Sequence, residues 1–337
     1  MPVSEIVRRA LQYKTALDGR TGYQYLQMRD YWIAVRSSLY SQAQTVAQEI
    51  LERFPDGGAS MQWVRELDYY RALTEQADNV IAQYGSWGQT YTLQQVLDEY
   101  RISADEAVNL INIERTQGMG YFKGLARPQL EMMAGFAQAD APLGKLFAGI
   151  GEGAREQLTA SLMEGLAKGM PSKKIAELMV SNFNIPFVRA NLIARTEVNR
   201  AHRASSLETY QNHKIRRFKR MASKQRACMA CLMLDGQIYT SEHELDDHPN
   251  GACVMVPWVD GADEPTWDYG KDYFMGLSEE EQRKRMGNAY YEAWQRGDYQ
   301  LDDLARIQKN RVWGGSPQVV PLKELSPDWK SWYARDK

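Results

Sequence analysis

Four residues in the second half of the chain have the types and spacing of a metal centre: Cys228, Cys231, His248 and Cys253. The Cys-x-x-Cys spacing of the first two lets both thiolates share one knuckle. His248 and Cys253, five positions apart, supply the other half of a tetrahedron. Zn²⁺ favours four sulfur or nitrogen ligands in a closed structural site. The 337-residue chain contains only three cysteines, so the pattern uses them all. A loop-rich segment of this length builds little core. Metal ligation would supply its folding energy, about 10–16 kcal/mol in small zinc peptides. Two other readings of these residues stay open. The thiols could be reduced and packed under a hairpin. A redox Cys-x-x-Cys is the other, against which stands the lack of a βαβ pattern around it.

Catalytic zinc patterns fit poorly. His243-Glu244 lacks the histidine that completes a zincin motif. A zinc deaminase places His-x-Glu before its Cys-x-x-Cys, and here the order is reversed. Asp246-Asp247-His248 faintly resembles an HNH nuclease, yet no histidine follows and no second Cys-x-x-Cys is present. No P-loop, Gly-x-Ser-x-Gly or paired-carboxylate pattern occurs, so no catalytic residue is assigned and no enzymatic activity is expected.

The elements that must hold these residues read as mainly helical. Helix is expected over 4–53 with a break at Asp18-Gly19-Arg20-Thr21-Gly22, then over 60–83 with a stop near Gly85. Capping-box patterns at Thr92-Leu93-Gln94-Gln95 and at Ser103-Ala104-Asp105-Glu106 open two more. Gly118, Gly120, Gly124 and Pro128 mark a joint, followed by helices over 128–139, 142–166 and 171–182. Pro186 opens a long helix to His213. Ala190, Ile193, Ala194, Val198, Ala201 and Ala204 share one face of it, with Glu197 among them. A carboxylate there should be paired or hydrogen-bonded. Strands are expected at 214–221, 237–240 and 254–257, and helices at 278–296 and 301–310. The fold class is α+β, predominantly α. A helical region 1–120 precedes a helical domain 121–213. A small β/Cys-His module 214–260 and an acidic, Trp-rich extension 261–337 follow.

Charge is unevenly spread. The net charge is −2. Residues 189–226 alone carry eleven Lys/Arg against two Asp/Glu, a net of +9, between segments of net −3 and −8. This band is either a solvated, internally neutralised face, a protein-docking surface, or a phosphate-contacting surface. The third reading selects Arg189, Arg200, Arg203, Arg216, Arg217, Lys219, Arg220 and Lys224 as nucleic-acid-binding residues. Six of the nine tryptophans lie from Trp258 onward, suited to docking on the chain's own core or on another subunit. A mean hydropathy of −0.55, with no apolar window of membrane-spanning length, speaks against a membrane protein. No basic-then-apolar leader opens the sequence, so no secretory signal is expected. An odd cysteine count argues against a disulfide scaffold.

Taken in order, these residues resemble a family. Ile193-Ala194-Arg195-Thr196-Glu197, a basic helix, a strand, Cys228-x-x-Cys231-x-x-Leu234-Asp235-Gly236, then His248-Pro249-Asn250 before Cys253 resemble the phage head-morphogenesis, or minor head, proteins typified by the F protein of phage Mu. The likeness covers about residues 150–260. A looser echo runs through Leu277-Ser278-x-x-x-Gln282 and Trp313-Gly314 to Leu322-Lys323-Glu324-Leu325. Arg195, Thr196 and Glu197 are its structural motif. Relatives usually read His-Pro-Asn-Cys-Arg-Cys, whereas this chain has His248-Pro249-Asn250-Gly251-Ala252-Cys253. The first cysteine of that pair and the arginine are missing, and four ligands remain. The resemblance implies a low-copy virion protein on the portal vertex inside the head, made in the host cytoplasm. Its implied partners are the portal protein, other head proteins including the major capsid protein, and packaged double-stranded DNA bound without sequence preference. The contrasting readings are a zinc-dependent nucleic-acid-processing enzyme and a virion-carried effector.

Overall fold

The computed structural model describes residues 4–115, 142–310 and 314–326. The fold is α+β and mainly α-helical. The chain forms two compact units, and neither is one stretch of sequence. Unit 1 comprises Met1–Gly19, Asp98–Leu125 and Val198–Lys337, and unit 2 comprises Arg20–Leu97 and Ala126–Glu197. The sequential division into 1–120, 121–213, 214–260 and 261–337 therefore follows chain order rather than packing.

Helix α1 (Glu5–Ser37) runs unbroken through the expected break at Gly19 and Gly22. A helical glycine costs about 1 kcal/mol relative to alanine. Burial of Leu17, Met28 and Trp32 on the same helix outweighs that cost, because packing rather than propensity decides most helices in proteins. The turn comes instead at Ser38-Leu39, before α2 (Tyr40–Arg53). Short α3 (Met61–Glu66) is capped by the Ser60 hydroxyl, which accepts the Trp63 N–H. Helix α4 (Asp68–Glu114) replaces the three separate helices expected there. Gly85 does not stop it. At Gly88 a Cβ would lie 2.8 Å from the Phe147 ring. That glycine lets α5 (Pro142–Ala148) approach closely.

A turn at Gly149–Gly153 separates α5 from α6 (Ala154–Ala167), so the expected helix 142–166 is two. Helix α7 (Ser172–Asn182) packs on α6, where a Gly165 Cβ would sit 2.8 Å from Ile175. Unit 2 has a core that contains Trp32, Val46, Leu73, Tyr84, Leu162 and Phe183. The Trp32 indole N–H donates to the Phe183 carbonyl at 3.0 Å. Helix α8 (Ile185–Asn212) matches its expected bounds closely. Ala190, Ile193, Ala194, Val198 and Ala201 are buried, as their shared face requires, and so are Thr196 and Glu197. The Thr196 hydroxyl donates back to the Leu192 carbonyl.

Unit 1 holds a three-stranded antiparallel sheet in the order β2-β1-β3. Its strands are β1 (Arg217–Met221), β2 (Ile238–Thr240) and β3 (Val254–Trp258). Phe218 pairs with Tyr239 on one side and Pro257 on the other. Helix α9 (Met229–Met233) lies between β1 and β2. Beyond β3 come α10 (Gly270–Met275), α11 (Glu279–Met286) and α12 (Asn288–Gln295). The expected helix 278–296 is split at Gly287, whose φ of 88° suits only glycine. A capping box between Ser278 and Glu281 opens α11. The helix expected at 301–310 is a 3₁₀ turn (Leu301–Leu304) followed by strand β4 (Ala305–Asn310). Its partner β5 (Gly314–Val319) pairs Ala305 with Val319. Helix α13 (Leu322–Leu325) follows. The expected joint at Gly118–Pro128, the helix 128–139, and Trp313, Trp329 and Trp332 lie outside the described residues. No helix among the described residues is long and apolar enough to cross a membrane.

Candidate metal centre

Cys228 ends the loop after β1 and caps α9, its sulfur accepting the Cys231 N–H at 3.4 Å. One helical turn therefore brings both sulfurs of the Cys-x-x-Cys to the same side. The loop between β2 and β3 returns His248, whose Nε2 lies 3.4 Å from the Cys228 sulfur. Its Nδ1–H donates to the Pro249 carbonyl at 2.9 Å. That bond fixes the tautomer and leaves Nε2 as the ligating atom. Cys253, buried immediately before β3, comes next to Cys231. Ligand atoms of Cys228, Cys231 and His248 lie within 4.8 Å of one another, as do those of Cys231, Asp247 and Cys253. The four residues selected by spacing are thus gathered in one place and could bind a metal ion.

The donors perturb one another strongly. The Cys228 thiol is pulled down to about 4 by its hydrogen bond with Cys231, helped by His248. The Cys231 thiol is pushed far up by its hydrogen bonds with Cys228 and Cys253 and by burial. Cys253 is drawn down by the Cys231 hydrogen bond. His248 is pushed up to about 9 by Cys228.

Sequence reasoning noticed Asp247 but gave it no role. Its side chain is completely buried. Oδ2 accepts from Arg203 Nη1 at 3.0 Å and from the Cys253 N–H at 3.2 Å. Oδ1 accepts the His248 N–H at 3.0 Å and lies 3.7 Å from Arg220 Nη2. Asp247 thus orients two of the four ligands through their backbones. Its carboxylate supports the site through these bonds and also lies within ligand range of Cys231 and Cys253.

Gly251 is packed closely against Asp247. A Cβ there would lie 2.3 Å from Asp247 Oδ1 and 2.4 Å from its carboxyl carbon. A cysteine at this position does not fit beside Asp247. Gly251→Cys should destabilise the protein by about 1–3 kcal/mol, as overpacking does, and add no metal. Thermal unfolding with elemental analysis checks both. A variant of native stability with altered metal content would contradict this account of Gly251.

The eight basic residues do not form one surface. Lys219 and Arg220 are 1 % and 0 % exposed, and Arg203 is 9 % exposed. The strand expected over 214–221 forms as β1, which is central in its sheet, and its residues Phe218 to Met221 are buried on both faces. Lys219 donates to Glu264 Oε1 at 2.6 Å and to the Pro265 carbonyl at 3.1 Å, and its ammonium contacts the rings of Trp267 and Tyr269. Arg220 donates to the Asp246 carbonyl. These three are corrected from phosphate contacts to internal cations. Arg189 donates to the carbonyls of Gly149 and Glu152. Arg200 and Arg216 are exposed, Arg217 and Lys224 half-buried. The Arg217 guanidinium lies 3.7 Å over Trp258.

Asp235 ties the module together. Its carboxylate accepts from the Ala222 N–H, the Trp267 indole and the Gly270 N–H. The acidic, Trp-rich segment after β3 therefore serves its own chain here. Trp294 likewise packs against Phe274 and Tyr291.

The chain matches no protein-family model, no curated protein and no solved structure.

Proposed function

We propose that the chain is a structural minor head protein of a tailed phage, with a Cys/His module closed by one structural zinc ion. It acts in head morphogenesis at the portal vertex inside the virion, after synthesis in the host cytoplasm. The observation that carries this reading is the gathering of Cys228, Cys231, His248 and Cys253. These residues belong to the ordered motif on which the family resemblance rests.

Zinc fits the donor set. With Zn–S near 2.3 Å and Zn–N near 2.0–2.1 Å, a tetrahedral edge between sulfur and nitrogen is about 3.5 Å. The Cys228–His248 separation is 3.4 Å. Four protein donors with an oriented histidine and a buried carboxylate support describe a closed site. A catalytic zinc keeps one position for water or substrate. The structural role is therefore favoured over a zinc-dependent nuclease or a virion-carried effector.

The partners follow the same reading: the portal protein, other head proteins including the major capsid protein, and packaged DNA held through phosphates without sequence preference. The test is co-expression with the portal protein of the same phage. Co-purification with the portal ring supports the reading, and a monomer that ignores the ring overturns it.

The DNA contact is confined to the cations that reach solvent, Arg200 and Arg216 in full and Arg217 and Lys224 in part. Arg216→Glu, Arg217→Glu and Lys224→Glu combined should weaken DNA binding and reduce the salt slope by up to about 3, near one per lost phosphate contact. Fluorescence anisotropy over a salt series measures both. Unchanged affinity and slope would assign this surface to a protein partner.

A further inference from the structure

The four ligands of the candidate centre are not equally secured. Cys231 and Cys253 are buried, whereas Cys228 is exposed. His248 is tied to Asp247 through its backbone N–H and to the Pro249 carbonyl through Nδ1. Cys228 is reached by the loop 222–227, which leaves β1. Within that loop the N–H groups of Arg226 and Ala227 both turn back to the Ser223 carbonyl, at 3.0 and 2.7 Å. From outside, the loop is held by Arg285, in the last turn of α11. Its Nη2 donates to the Gln225 carbonyl at 2.7 Å and its Nη1 to the Ala227 carbonyl at 3.4 Å. The Ala227 carbonyl belongs to the planar peptide unit that enters Cys228. One guanidinium therefore helps to set the backbone from which the Cys228 sulfur projects.

Further contacts tie the same helix to the same turn. The Tyr273 ring on α10 has the Arg285 guanidinium 5.4 Å and the Lys224 ammonium 6.0 Å from its centre. Helix and loop thus share one aromatic support. Met286, next after Arg285, is buried in the same core as Met229, next after Cys228. Gly270, which opens α10, lies so close to α9 that a Cβ there would collide with the Leu232 carbonyl. The C-terminal segment therefore grips the Cys-x-x-Cys turn both before and after Cys228. Arginine suits this place, because its planar fork can reach two carbonyls at once, whereas lysine is a single-point donor.

An ion in a closed site leaves by losing one ligand first. Local opening is easiest where the backbone is exposed and held by few contacts. Cys228 is the exposed sulfur and sits on a loop, so release starts there. We propose that Arg285 is a positioning residue for the metal centre. By holding the Gln225 and Ala227 carbonyls it keeps the Cys228 sulfur on the ion, and the C-terminal segment thereby sets how fast the metal leaves. The inference rests on the zinc reading above. The coupling runs both ways: an ion that fixes Cys228 also fixes the loop on which α11 docks.

The test follows zinc transfer from the full, zinc-loaded chain to an excess of chromogenic chelator, well below the unfolding temperature. Arg285→Ala should speed release about 10- to 100-fold, the range for loss of an outer-shell partner. Arg285→Lys, which keeps the charge and loses the fork, should fall between this variant and the wild type. Arg283→Ala, on the same helix and removing the pairs with Glu279 and Glu292, should release zinc at the wild-type rate. General loosening of α11 would speed both. Hydrogen exchange in the zinc-loaded Arg285 variants should rise over 223–229 and stay at the wild-type level over 254–258. If Arg285→Ala fails to fold, Arg285→Lys decides. Release from the Arg285 variants at the wild-type rate, or no faster than from Arg283→Ala, overturns the inference and leaves the zinc reading intact. A wild-type chain that takes up no zinc fails that reading, and the inference with it.

Discussion

Cys231→Ser should remove the zinc from the chain and destabilise unit 1 by several kcal/mol, a sizeable part of the roughly 10–16 kcal/mol that zinc contributes in small peptide domains. The expectation rests on position. Cys231 is completely buried and belongs to both groups of ligand atoms at the site. A serine hydroxyl there can neither reach the metal as a thiolate does nor replace the shared proton. Elemental analysis reads the loss of metal, and hydrogen exchange over 226–256 reads the loosening. A Cys231→Ser protein that keeps its zinc and its protection would refute the ligand assignment.

The wild-type protein should also release protons as it binds zinc. Cys231 is held protonated by its neighbours, and His248 titrates at about 9. Both must deprotonate to ligate. Affinity should therefore rise with pH through the neutral range and beyond the His248 value of about 9, because the Cys231 thiol is pushed higher still. Calorimetry in buffers of different ionisation enthalpy measures the release directly.

Asp247→Ala should cost about 3–5 kcal/mol, the usual penalty for removing one partner of a buried ion pair. Arg203 and Arg220 are both buried, and Asp247 is the carboxylate within reach of each. Its loss leaves two guanidinium groups in the interior and frees the backbone N–H groups of His248 and Cys253. Zinc affinity should fall as well, by about 10- to 100-fold. Adding Arg220→Met to Asp247→Ala should restore part of the stability, because the orphaned charge is then gone. Denaturant unfolding of the wild type, both single variants and the double variant gives the coupling energy. A loss below about 0.5 kcal/mol, as at ordinary surface sites, would show that Asp247 is no hub.

The Cys-x-x-Cys half of the candidate metal centre was legible because its spacing is local. A Cys-x-x-Cys needs only one turn of backbone to aim both sulfurs together, and α9 provides it. The long helix α8 was legible for a similar reason, since its small and apolar residues recur on one face. The basic band misled because charge content does not reveal coverage. Lys219 and Arg220 lie in a central strand, and residues 246–247 and 264–269, which neutralise and cover them, come later in the chain. Gly19 and Gly85 read as helix ends, since local propensity cannot see the packing that carries a helix through them. At 305–310, Ala, Arg, Gln and Lys favour helix, and only pairing with 314–319 makes the segment a strand. The buried contact of His202 Nδ1 with Glu99 Oε1, at 2.9 Å, is invisible in sequence, because two helices about a hundred residues apart must meet before it exists.

X-ray absorption at the zinc edge, on the full chain purified with its native metal, tests the central claim most directly. The account predicts one zinc per chain with three sulfur neighbours near 2.3 Å and one nitrogen near 2.0–2.1 Å. A shell of two sulfurs with oxygen ligands would bring Asp247 or water into the site and contradict the closed Cys228–Cys231–His248–Cys253 centre. Protein folded to the same stability with no metal at all would remove the centre altogether.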